Sequence, residues 1–226
     1  MLNYVKVIMN VVYKDFLMEL KSKDITNSML VYAILIVVIF SFIIDPAESK
    51  NIEAAGGILW ISAIFSGLLG LNRAVLQETV NDSFVALTLA PVDKSAIFFG
   101  KVMSITLFML LVETIIIPVF MVFYNINVFA NSLMPVIIFF LGTYGFALLG
   151  TLFSFIANKT NAKELLLPLI LLPLVIPVIL SAVKGLNILM TGEEMQNVFK
   201  WIKLLLVFDV IFTAAIFMLV DKVFEE

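Results

Sequence analysis

The sequence of 226 residues contains no cysteine and no histidine, which removes most of the side chains that bind metals or act as nucleophiles. Without cysteine there is no disulfide, thiolate nucleophile, iron–sulfur ligand or zinc knuckle. Without histidine, imidazole catalysis and histidine-ligated metal or haem are excluded. Arg73 is the single arginine and the net charge is −3, so the composition argues against a nucleic-acid partner.

Charge of either sign is also scarce. Charged residues make up 14% of the chain, whereas a soluble domain has roughly 25%. Hydrophobic residues make up 62%, and the mean hydropathy is +1.14. A water-soluble fold of this length cannot bury so much apolar surface, so we infer that most of the protein is solvated by lipid.

The apolar residues fall into six segments, each near the length of about 20 residues that a helix needs to cross a bilayer. We therefore predict an all-α integral membrane protein that forms one permease domain over residues 1–226. Polar segments separate the spans, and the last of them, residues 185–201, is predicted to lie outside with a short amphipathic helix near 193–203. The predicted spans are 29–44, 54–71, 102–124, 133–157, 165–183 and 203–220.

Lysine and arginine predict the orientation of the chain. Ten of the 14 lie on the same side as the two termini, so the positive-inside rule places both termini in the cytoplasm. In residues 1–25, apolar side chains recur at steps of three and four, opposite a face that carries lysine and asparagine. This pattern favours an amphipathic helix in the headgroup plane over a plain cytoplasmic helix.

Residues 72–101 form the longest predicted cytoplasmic segment. They begin polar, become apolar over 84–90, and break at Pro91, after which Ser95 is predicted to cap a helix. An apolar helix in the cytoplasm suggests a docked protein partner, the alternative being a loop folded onto the membrane surface. The Gly100-Lys101 pair lacks the spacing of a phosphate-binding loop, so any ATP-driven work needs another subunit.

Small residues and prolines indicate how the helices pack. Ser62, Ser66 and Gly70 recur every four residues, which favours close packing inside the bundle over a homodimer seam. The fifth span is predicted to be kinked and buried, because each proline removes a helical hydrogen bond and the freed carbonyl needs another partner. Its prolines are Pro168, Pro173 and Pro177.

Two carboxylates, Glu113 and Asp209, lie inside predicted spans. Such residues are costly in a bilayer and are functional candidates by default. Two interpretations remain open for each: a hydrogen bond to a neighbouring helix, or a site for a proton or cation. The predicted sixth span is short, so Asp209 is expected near the outer interface.

Three stretches of this sequence are similar to haem exporter protein B, the CcmB-type permease family of cytochrome c maturation. Residues 57–73 and 87–101 carry the similarity in the second span and the long cytoplasmic segment. Residues 165–177, with their repeated leucine–proline pattern, are the most distinctive part. The length and the number of spans agree as well.

The resemblance implies an ABC-2-type exporter architecture in a bacterial inner membrane, with two copies of the chain and a separate cytoplasmic ATPase. It also implies work with a haem-handling membrane protein and a periplasmic haem chaperone. The chain itself would be a non-catalytic subunit without metal, with ATP on the partner and haem as a substrate of the complex. The ATPase would dock on Arg73, Glu78, Asp82, Leu87, Pro91, Asp93, Lys94 and Lys101.

Two alternatives remain open at the level of the sequence. The first is an ABC-2 permease that exports another substrate, such as a lipid, glycan or drug. The second is an ion-coupled carrier that uses Glu113 and Asp209. Because the chain has neither histidine nor cysteine, strong axial ligands for haem would come from partner proteins under any of these readings.

Overall fold

A computed structural model of the chain describes residues 2–44, 52–80, 92–129, 133–158 and 163–225. These residues form seven α-helices and no strand, as the sequence predicts. In chain order the helices are α1 (Leu2–Ser22), α2 (Asp24–Ile43), α3 (Ile52–Val80), α4 (Lys94–Tyr124), α5 (Met134–Asn158), α6 (Lys163–Thr191) and α7 (Met195–Glu225).

Six of the helices, α2 to α7, are long and apolar enough to cross a membrane, which confirms the predicted number of spans. Several are longer than predicted. Residues 193–203 do not form a short helix of their own, because α6 continues to Thr191 and α7 already begins at Met195. Gly192 makes the turn between them in the left-handed region, at φ 76°. Exposed lysines near the start of α7 interrupt its apolar residues, so the sequence predicts a helix that is too short.

The predicted cytoplasmic segment 72–101 is largely helical at both of its ends. Helix α3 continues past the predicted span to Val80, and α4 begins at Lys94. Asp93, and not Ser95, is the N-cap residue of α4: its carboxylate accepts hydrogen bonds from the amide and the hydroxyl of Ser95, at 2.9 and 2.6 Å. The apolar stretch 84–90 lies outside the described residues.

Helix α3 is the centre of the bundle and packs against α2, α4, α5 and α6. Its contact with α5 is close because glycines meet large side chains at three levels: Gly142 lies beside Trp60, Gly67 beside Phe146, and Gly150 beside Leu71. The order of these contacts makes the two helices parallel, as two spans of the same direction must be. Trp60 is fully buried and stacks on Phe139 with ring centroids 5.6 Å apart.

The small residues of α3 lie inside the bundle. Ser62 and Ser66 are buried, and a methyl group added at Gly70 would meet the side chain of Met29 on α2. Both serine hydroxyls donate to backbone carbonyls one turn earlier in the same helix. The small residues therefore serve contacts within one chain, as the favoured interpretation predicts.

Helix α6 is continuous through its three prolines, but it is buried on one face only. Leu171 and Val175 face the interior, whereas Leu169, Pro173 and Pro177 are exposed in this chain. The expectation of a fully buried helix is therefore wrong for the single chain. Pro173 and Pro177 share the outer face because the inner face must pack against α3, α5 and α7.

The glycine contact between α3 and α5 gives a prediction, with a control glycine on the partner helix α3. We expect Gly142→Ala to destabilise the protein by about 1–3 kcal/mol, because the new methyl group would overlap the buried indole ring of Trp60. Gly57→Ala is the control, since a methyl group there meets no atom within 4 Å. Thermal unfolding of both variants in detergent tests this, and equal midpoints would contradict it.

Candidate functional site

Helix α1 is fastened to the first turns of α4. The ammonium group of Lys101 lies 2.8 Å from Oδ1 of Asp15, and the two side chains are 9% and 10% exposed. The hydroxyl of Tyr4 is hydrogen-bonded to that of Ser95 at 3.0 Å. A glycine at position 100 allows the backbone of α4 to approach Val11. An ion pair, a hydrogen bond and a close helix contact therefore join the two helices.

The other end of α1 is joined to the first span. The buried carboxylate of Glu19 accepts hydrogen bonds from the backbone amides of Ile25 and Thr26, at 3.3 and 2.6 Å, and so caps the N-terminus of α2. Lys23 makes the turn between the helices in the left-handed conformation, at φ 56°. Because α1 contacts both α2 and α4, a displacement of α1 acts on two spans.

The surface of α1 is divided into three faces. One face contacts the bundle and carries Asp15 and Glu19. A second exposes apolar side chains such as Met9 and Tyr13, and the third carries lysines and asparagines. An interfacial helix requires an apolar face toward lipid and a polar face toward water, and α1 has both in addition to the face that contacts protein.

The predicted docking residues separate into three groups in the structure. Arg73 and Asp93 are exposed, on α3 and just before α4, and Lys94 is half-buried in the first turn of α4. Lys101 is buried against α1. Glu78 lies on α3, and Asp82, Leu87 and Pro91 lie outside the described residues. Lys101 therefore pairs with Asp15 of the same chain, which the sequence did not predict.

Glu113 lies in the middle of α4 and is 4% exposed. Its Oε1 accepts a hydrogen bond of 2.7 Å from the hydroxyl of Thr143 on α5. Its Oε2 has no hydrogen-bond partner among the described residues. A cavity of about 10 Å³ lies beside it, lined in part by Ser62 and Ser66, and one water molecule needs about that volume. The contact with Thr143 agrees with the hydrogen-bond interpretation.

Asp209 lies deep in the bundle, and the expected place near the outer interface is wrong. It follows Met195 by fourteen residues and precedes Val220 by eleven in the sixth candidate span. Its side chain is 5% exposed, close to Gly145 on α5. Neither carboxylate oxygen has a hydrogen-bond partner among the described residues. The hydroxyls of Tyr144 and Thr213 bond each other at 3.0 Å.

The geometry defines a multi-pass membrane protein: six apolar helices surround buried carboxylates, and an amphipathic helix is fastened to the bundle at one end. The family model described as "CcmB protein" matches residues 6–220. The chain belongs to this family, as the similarity of residues 57–73, 87–101 and 165–177 indicates.

Curated relatives match the chain at low identity, and two of them cover about three quarters of it. Heme exporter protein B of Rhodobacter capsulatus is 27% identical over 165 residues, which are 73% of this chain and 74% of the relative. The protein of that name from Pseudomonas aeruginosa is 23% identical over 181 residues, 79% of each chain. The one from Escherichia coli K12 is 29% identical over 97 residues, 41% of this chain and 44% of the relative.

Sequence reasoning missed Asp15 and Glu19, although a signal was present. The two residues are four apart, so they share a face of α1 with Val11, which lies away from the lysines. Acidic side chains on a face of their own, between the apolar and the basic faces, indicate contacts with protein. Their partners, Lys101 and the start of α2, are decided by the tertiary structure alone.

The buried ion pair between α1 and α4 gives a second prediction. We expect Asp15→Asn and Lys101→Met each to destabilise the protein, because breaking a buried pair costs about 3–5 kcal/mol. The double variant should lose less than the two single variants together, with a coupling energy of about 1 kcal/mol or more. Thermal unfolding of all four proteins measures this coupling.

Lys14→Met is the control for this cycle. Lys14 also approaches Asp15, at 3.2 Å, but its side chain is 36% exposed. An exposed pair contributes about 0–1 kcal/mol, so we expect a small effect. Additive losses in the cycle of Asp15 and Lys101 would contradict a direct interaction between them.

The contact between Glu113 and Thr143 gives a third prediction. Glu113→Gln should unfold near the wild-type temperature, because an amide oxygen also accepts the hydroxyl of Thr143. Glu113→Leu should unfold earlier, because the buried hydroxyl then loses its acceptor, at a cost of about 1–3 kcal/mol. If Glu113→Gln is stable but inactive, the charge of this residue is required in addition to its hydrogen bond.

Proposed function

We propose that the chain is the membrane permease subunit of an ABC transporter that exports or delivers haem for the assembly of c-type cytochromes. The observation that carries this proposal is the family match over residues 6–220, with relatives named for haem export across about three quarters of the chain. Haem is the substrate of the complex, and ATP is hydrolysed on a separate cytoplasmic subunit.

The arrangement around the loop between α3 and α4 supports docking of such an ATPase. Residues 81–91 connect the end of α3 to the start of α4, and Arg73 on α3 and Asp93 just before α4 are exposed. Helix α1 is bonded to the first turns of α4 and caps α2. A force applied at the start of α4 therefore acts on α4 directly, and on α2 through α1.

A second copy of the chain would complete the membrane part. Helix α6 exposes Pro173 and Pro177, and each proline leaves a carbonyl one turn earlier without its helical donor. In a bilayer such backbone needs protein or water beside it. We propose that the outer faces of α6 and α2, where Leu35, Ile39 and Leu174 are exposed, pack against a second copy.

The remaining partners follow from the chemistry that the chain lacks. It has no histidine or cysteine, so the strong axial ligands for haem belong to a membrane protein and a periplasmic chaperone that handle haem. The location is the bacterial inner membrane, with both termini in the cytoplasm, as the distribution of lysine predicts.

Deletion of the gene tests the proposal. The deletion strain should lose covalently attached c-type cytochromes, measured by haem staining of membrane proteins, and a plasmid copy should restore them. Normal c-type cytochromes in the deletion strain would refute the haem function. Transport by the purified chain alone in liposomes, driven by a proton or sodium gradient, would favour the ion-coupled carrier instead.

The docking surface gives a fourth prediction. Arg73→Glu and Lys94→Glu should reduce recovery of the ATPase with the tagged permease at least fivefold, because each reverses a charge beside the proposed interface. Lys203→Glu is the matched control, since this exposed lysine lies at the opposite end of the bundle. The amount of permease in the membrane should be equal in all three. Unchanged recovery of the ATPase would exclude these residues from the interface.

A further inference from the structure

A groove of about 700 Å³ runs between α1, α4 and α7. It extends along α7 from Phe217 to Asp209, a distance of about 12 Å for eight residues of helix. Its walls are apolar and aromatic, and its outer edge is open, because Val210 and Met218 are exposed there. The walls include Tyr4, Phe99 and Met103.

The deepest part of this groove contains the carboxylate of Asp209. Asp209 lines the groove, is 95% buried, and has no partner for either oxygen among the described residues. The hydroxyl side chains of the groove are engaged elsewhere: Tyr144 bonds to Thr213, and Tyr4 bonds to Ser95. The groove therefore presents two strong acceptors to which no described side chain donates a hydrogen bond.

The carboxylate oxygens of Asp209 and their depth in the membrane determine which ligand fits the groove. A buried carboxylate is costly unless it takes up a proton or has a cation or hydrogen-bond donors beside it. Asp209 lies at least eleven residues from either end of its span, so lipid headgroups do not reach it. Lipid chains bring no donor, and a porphyrin with carboxylate side chains brings charge of the same sign. A membrane-spanning helix with a lysine or arginine at this depth satisfies each requirement.

A second copy of this chain does not supply such a helix. In the six candidate spans, the lysines and the arginine all lie within eight residues of a span end. Lys184, Lys200 and Lys203 lie at least six residues short of the level of Asp209, and Lys101, the deepest cation at the opposite end, is already paired with Asp15 of its own chain. The helix that fits therefore belongs to a different membrane protein.

We propose that the groove between α1, α4 and α7 is the docking site for a membrane-spanning helix of a second kind of subunit, which pairs a lysine or arginine with Asp209. The existence of that subunit rests on the proposed function, whereas the site rests on the groove and its carboxylate. Pairing two opposite charges inside the bilayer makes the association specific, because a helix without the cation leaves Asp209 unsatisfied.

Photocrosslinking in the native membrane tests the site without disturbing Asp209. A photoreactive residue replaces Phe217 in the groove, and Leu111, which is exposed on α4 outside it, in the control. We expect an adduct at position 217 that maps to a span with lysine or arginine in another polypeptide, and none at 111. Adducts at 217 only with lipid, with haem or with a second copy would overturn the proposal.

Charge exchange tests the pairing. Asp209→Asn should reduce recovery of the second membrane subunit at least tenfold while the ATPase is still recovered, and Glu113→Gln, the control carboxylate, should leave this recovery unchanged. Asp209→Lys should lose the subunit, and exchange of the partner's cation for aspartate should restore it. Full recovery with Asp209→Asn, or no restoration by the exchange, would overturn the pairing. The failure of the proposed function would look different, since the ATPase would then be missing from the wild-type complex.

Discussion

The hydrocarbon of the bilayer offers no hydrogen bonds, and this constraint explains most of the structure. Each span is a helix because its backbone must satisfy itself. Side-chain hydroxyls bond to carbonyls within their own helices, as in Ser62, Ser66 and Thr106. Lipid is as apolar as leucine, so the helices associate through close contact between glycines and large side chains, such as Gly142 with Trp60. The polar groups left without partners inside this bundle are therefore the places where function is expected.

Charged groups of the chain are used in different ways at different depths. At one end of the bundle, Asp15 and Lys101 satisfy each other and bond α1 to α4. In the middle, one oxygen of Glu113 accepts a hydrogen bond from Thr143, and Asp209 has no hydrogen-bond partner among the residues that the structure describes. In the proposed transporter, the bonded contact between α1 and α4 would carry motion into the spans, and the unpaired carboxylate would bind another subunit. The roles proposed for the contact between α1 and α4 and for the groove beside Asp209 follow from this difference.

Much of the fold was predictable because the bilayer turns hydropathy into topology. Six spans, the all-helical fold, the interfacial helix and the family similarity were all visible in the sequence. The ends of the helices were not: α7 begins eight residues before its predicted start, because lysines at a membrane interface extend their charges into water and interrupt the apolar pattern. The N-cap of α4 was not predictable either, since aspartate and serine are both favourable N-cap residues and the backbone conformation places Asp93, not Ser95, at that position.

The sequence by itself determined that lipid surrounds this protein, how often the chain crosses it, and that histidine and cysteine chemistry is absent, because these follow from composition and from the length of apolar segments. The tertiary structure decided which polar groups meet. Lys101 and Asp15 are 86 residues apart in the chain, and Thr143 is 30 residues from Glu113. Their pairing depends on how the helices cross. Asp209 has no hydrogen-bond partner among the described residues because the packing of the helices leaves a groove beside it. No local pattern encodes either, because side chains so far apart in sequence become neighbours only when the helices pack.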